Sequence, residues 1–66
     1  MQYTLKMVSN ELTISKDALV DVRNMLGIKE IYEKDFKRIE YVVAEIRRRY
    51  GKCTLSTINR YKLWTC

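Results

Sequence analysis

The sequence predicts a small α+β fold, a single domain over residues 1–66. Its expected parts are an N-terminal β-hairpin, a short helix, a long amphipathic helix and a partly extended C-terminal segment. Three observations carry this expectation. Tyr32, Phe36, Ile39, Val43, Ile46 and Tyr50 recur at alternating steps of four and three, the spacing of one face of a helix. The first residues alternate apolar and polar, the spacing of a strand. Ser15, Gly27 and Gly51 stand where helices start and stop.

In the first stretch Tyr3, Leu5 and Met7 share one face of a strand, and Thr4, Lys6 and Val8 share the other. Ser9 and Asn10 follow as turn residues, and residues 11–14 resume the alternation, so two paired strands are expected. Ser15 is a helix N-cap, because its hydroxyl can accept from a first-turn N–H that has no helical partner. Asp17 suits the positive end of that helix. Ala18, Leu19, Val22, Met25 and Leu26 give residues 16–26 an apolar side, and Gly27 can terminate it with a positive φ.

The long helix is expected over residues 29–50, ending at Gly51. At 1.5 Å per residue it would be roughly 33 Å long, so its apolar stripe needs cover from the rest of the chain or from a second copy in a homodimer. Beyond it, Thr54 could cap a short helix over residues 54–60. Tyr61, Leu63 and Trp64 read as extended chain over residues 61–65, pairing with the hairpin. The expected core is Leu5, Leu12, Ile14, Leu19, Val22, Leu26, Tyr32, Phe36, Ile39, Val43, Ile46 and Leu63.

Composition removes several function classes. Histidine is absent, so catalytic triads built on it are excluded in this chain alone. Cys53 and Cys66 are too few for a four-ligand zinc site, and no glycine-rich phosphate loop occurs. Cys53 reads as a small buried residue and Cys66 as an exposed thiol. The carboxylate pairs Asp17 with Asp21 and Glu30 with Glu33 sit near helix starts, where they serve the helix dipole. No catalytic residue, cofactor, metal or small-molecule substrate is expected. The longest clearly apolar run is residues 41–44, far short of the roughly 20 needed to span a bilayer. No secretory leader is apparent, and a cytoplasmic location is expected.

The charge is uneven. Residues 1–36 hold five basic and six acidic side chains; residues 37–66 hold eight basic and two acidic, so the whole net charge of +5 arises in the second half. On a helical wheel Lys34, Lys37 and Arg48 lie opposite the apolar stripe, Arg38 and Arg49 flank it, and Tyr41 sits among the cations. Glu30–Lys34, Glu33–Lys37 and Glu45–Arg49 are spaced as helix-stabilising pairs. That arrangement alone describes a solvated helix. It does not call for Arg47, Arg48 and Arg49 in succession, followed by Lys52, Arg60 and Lys62.

Three stretches resemble parts of nucleic-acid-binding families, and none completes its family's motif. Gly51 with residues 52–61 resembles the turn and second helix of a helix-turn-helix. Residues 12–15, followed by two helices, resemble a ribbon-helix-helix repressor whose strand would be poorly basic. Residues 13–17, Leu26-Gly27-Ile28 and Ile31-Tyr32 resemble the non-catalytic part of LAGLIDADG homing endonucleases, without the acidic metal-binding motif. From the placement of the charge, the expected function is binding of nucleic acid, DNA before RNA, in a regulatory or accessory role. Arg47, Arg48, Arg49, Lys52, Arg60 and Lys62 are the candidate phosphate contacts, with Lys37 and Tyr41 in support. The alternative is a small interaction module, an inhibitor or assembly factor, that binds an acidic surface of a larger protein.

Overall fold

The computed structural model describes residues 1–65. In chain order these form β1 (Gln2–Tyr3), α1 (Leu5–Leu12), α2 (Lys16–Met25), β2 (Ile31–Tyr32), α3 (Glu33–Tyr50) and α4 (Leu55–Thr65). It is a mostly helical α+β domain, with one two-stranded antiparallel sheet that pairs Gln2 with Tyr32 and Tyr3 with Ile31.

The expected N-terminal hairpin does not form. The segment that alternates by two also repeats by three and four, through Leu5, Val8 and Leu12, and the helical period wins. Thr4 is extended, and its Oγ1 accepts from the Met7 N–H at 3.1 Å, capping α1. Val8 and Leu12 then point into the core. A strand register would have divided Leu5 and Val8 between opposite faces. Only Gln2 and Tyr3 pair as a strand, and their partner is β2, some thirty residues away, rather than the following segment.

Residues 13–15 join α1 to α2 in a tight turn. Thr13 takes the left-handed conformation at φ 54°, and the Ile14 N–H bonds the Ser9 carbonyl at 3.1 Å. Ser15 is the expected N-cap: its Oγ accepts from the Ala18 N–H at 3.2 Å. At the far end of α2, Gly27 (φ 71°) donates to the Asn24 carbonyl and Ile28 to the Arg23 carbonyl, both at 3.1 Å, the double bond pattern of a Schellman ending.

The long helix starts at Glu33 and not at residue 29, because Ile31 and Tyr32 are held in the sheet. The Asp35 carboxylate reaches back to accept from the Tyr32 N–H at 3.1 Å, fixing that start. The helix is thus about 27 Å long at 1.5 Å per residue, against a longest molecular dimension of 32 Å. The middle of its stripe is covered within one chain: Ile39, Val43 and Ile46 are buried under α1, α2 and α4.

The C-terminal segment is helical where extended chain was expected for residues 61–65. Thr54 and Thr57 start α4 reciprocally. The Thr54 N–H donates to Thr57 Oγ1 at 2.8 Å, and Thr57 Oγ1 also donates to the Lys52 carbonyl at 2.9 Å. This threonine pair takes the place of a capping box, which threonine's strand preference concealed. Thr57, Ile58 and Tyr61 form the buried side of α4.

Two residues of the expected core lie outside the observed one, and eight others join it. Leu12, Ile14, Leu19, Val22, Ile39, Val43 and Ile46 are buried as expected, and Leu5, Leu26 and Phe36 pack at its edge. Tyr32 and Leu63 were expected inside and are not: Tyr32 faces solvent from β2, and Leu63 is 80% exposed on the outer side of α4. Val8, Ala18, Ile28, Ile31, Val42, Cys53, Ile58 and Tyr61 complete the interior. No helix among the described residues is long and apolar enough to cross a membrane.

The two non-helical turns predict opposite responses. Thr13→Gly relieves a β-branched residue of a left-handed backbone and should stabilise the fold by about 0.5–1 kcal/mol, net of glycine's entropy. Gly51→Ala (φ 85°, no atom near an added Cβ) should destabilise by about 1 kcal/mol for backbone reasons alone. Thermal denaturation of both variants checks the pair.

Candidate nucleic-acid interface

Helices α1 and α2 are joined by a three-residue connection, residues 13–15. The resemblance around residues 51–61 falls on the α3–α4 connection, whose first helix is 18 residues long. The α1–α2 pair was hidden by the misleading alternation in residues 3–14. The signal that could have found it is the Thr4 cap followed by Leu5, Val8 and Leu12.

The basic end of α3 lies against this turn. The Arg47 guanidinium donates to the Thr13 carbonyl at 2.7 Å, a bond across 34 residues of sequence. It holds the one non-glycine residue with positive φ among the described residues. A guanidinium has five N–H donors, so a single bond leaves most of them available. Arg48, the next residue, projects from the outer side of α3 and is exposed, as is Lys52 just beyond the Gly51 cap. At the same edge, Ser15 and Lys16 begin α2, whose N-terminus carries the positive end of the helix dipole.

The remaining candidates are not gathered there. Arg49 turns to the opposite flank of α3, where its guanidinium lies 3.7 Å above the Trp64 ring. Lys62 pairs with Asp21 of α2 at 2.6 Å, tying α4 to α2 and neutralising one of that helix's acids. Arg60 is exposed on α4. Lys37 stands ten residues before Arg47, about 15 Å along the axis, where it lines a shallow depression with Glu33 and Lys34. Tyr41 is exposed on the outer face of α3, between these two groups. The eight candidates therefore do not make one continuous patch. One of them, Arg47, contacts the turn, and Arg48 and Lys52 are exposed close behind it in the chain.

Other ionisable groups have structural surroundings. Burial pushes the Cys53 thiol up, partly opposed by the Arg47 charge, so it stays protonated at neutral pH. Burial also raises Tyr61, as does the Glu45 carboxylate that accepts its hydroxyl at 3.2 Å. Cys66 lies outside the described residues. Among the described residues, no three acidic or cysteine side chains cluster as metal ligands.

The chain matches no protein-family model, no curated protein and no solved structure.

Proposed function

We propose that this domain binds duplex DNA with the α1–turn–α2 unit, α2 entering the major groove by its N-terminal end. Lys16 and Asp17 are exposed in the first turn of α2, where such helices meet base edges. The Asp17 carboxylate would accept from a cytosine amino group. Lys16, Arg47, Arg48 and Lys52 would lie along phosphates and fix the register. The observation that carries this reading is the Arg47–Thr13 bond, which sets the basic end of α3 beside the turn. The reading assigns no catalytic step.

Fluorescence anisotropy with a labelled random duplex tests it. Affinity in the micromolar range is expected at low salt. With four phosphate contacts, log K should fall against log salt with a slope of about −3 to −4. Absence of binding to any duplex at low salt would sink the proposal.

A second reading has its own observation. Leu55, Leu63 and Trp64 are exposed on α4, next to Arg60. An apolar and basic outer face of this kind fits an interaction module that docks on an acidic surface of a larger protein. On this reading the duplex titration is flat.

A further inference from the structure

On the edge of the domain away from Arg49 and Trp64, a groove of about 410 Å³ is lined by Tyr3, Met7, Glu11 and Phe36. Its walls are fixed by the backbone. The β1–β2 pairing sets Tyr3 beside the first turn of α3, where its ring meets Phe36 at a centroid distance of 5.1 Å and a tilt of 50°. Met7 and Glu11 are one turn apart on α1, so the thioether and the carboxylate share a side of that helix. Three walls are thus polarisable and apolar, and the fourth is an anion.

The anion is poorly accounted for by folding. Glu11 lies in the last turn of α1, at the negative end of the helix dipole, where a carboxylate is unfavourable. That turn holds no basic residue, and Glu11 makes no hydrogen bond or ion pair with the described residues. Glu40, one helical turn beyond Phe36 on α3, adds a second acid along the same flank. The domain carries a net charge of +5, and the one charged residue that lines this groove is an acid.

We propose that this groove is a binding site for a small amphipathic organic cation, an ammonium group attached to an apolar body. The cation would lie against the Tyr3 and Phe36 ring faces and close to the Glu11 carboxylate, while the apolar body packs on Met7. Aromatic faces attract cations through their quadrupole, and a carboxylate within reach supplies the counter-charge. The volume is in the range of small-molecule sites, roughly 300–1,000 Å³, and larger than a lysine head alone would fill. The site is separate from the DNA-binding reading and stands or falls without it.

The test is a set of NMR titrations of the whole protein, at constant ionic strength, with benzyltrimethylammonium, benzyl alcohol and benzoate. The cation should give saturable shifts at Tyr3, Met7, Glu11 and Phe36, and should bind about tenfold more tightly than the neutral probe. Benzoate should bind most weakly. Glu11→Gln should remove the cation's advantage while benzyl alcohol binds as before. The melting temperature should stay level or rise, because an unfavourable interaction with the helix dipole is removed. Tyr3→Leu should weaken the cation and leave the helices intact. Equal affinity for the three probes would overturn the proposal. So would shifts centred elsewhere, or an unchanged cation affinity in Glu11→Gln.

Discussion

Replacing Arg48 and Lys52 together by alanine is expected to lower duplex affinity by roughly a hundredfold near 0.1 M salt, on the order of tenfold for each phosphate partner removed. The log–log salt slope should become shallower by about 2. Both side chains are exposed and neither makes an ion pair or hydrogen bond with the described residues through its charged group, so the melting temperature should stay within about a degree or two. Arg47→Ala would not separate binding from folding so cleanly, because it also removes the 2.7 Å bond to the Thr13 carbonyl. Lys37→Ala is the internal control. It removes one positive charge from the other end of α3, away from the turn, and should change affinity little. Equal losses of affinity from Lys37→Ala and Arg48→Ala would mean that net charge, and not the site beside the turn, governs binding.

The largest effect on stability is expected at Leu19. It is fully buried on α2, in the cluster that also holds Val8, Ile39 and Ile46. Truncation to alanine should cost about 3–4 kcal/mol, from the burial forfeited and the cavity left behind. A chain of this length has a total stability of roughly 3–10 kcal/mol, so the variant should be largely unfolded at moderate temperature. Leu63→Ala provides the contrast. That side chain is 80% exposed, and its removal should change stability by no more than about 0.5 kcal/mol. Circular dichroism melts of the two variants separate the observed core from the one expected of the sequence, in which both leucines were inside.

That contrast shows where the sequence is legible. Alternating steps of four and three from Phe36 to Tyr50 leave no competing period, so α3 could be read directly. The Ser15 cap and the Gly27 ending each depend on one residue's local chemistry, and both occur as expected. Residues 3–14 satisfy a period of two and a helical period together, and burial of Val8 and Leu12 decides between them. That is a tertiary fact. The two-residue strands are too short to leave a pattern, and they pair across about thirty residues. In α4 the threonine pair favours a strand by composition and a helix by its hydrogen bonds.

The candidate site divides in the same way. The excess of cations in the second half was visible as composition. Their grouping was not, because it depends on which flank of α3 each arginine occupies. Arg47 faces the α1–α2 turn and Arg49 faces Trp64, although the two are only two residues apart. The Lys62–Asp21 pair likewise depends on the docking of α4 against α2.

Amide-shift mapping during titration with a short duplex tests the central claim most directly. The account predicts that the largest changes fall in residues 13–17 and residues 47–52, two segments that only the fold brings together. Changes confined to the outer face of α4, or the absence of any saturable change at low salt, would contradict it.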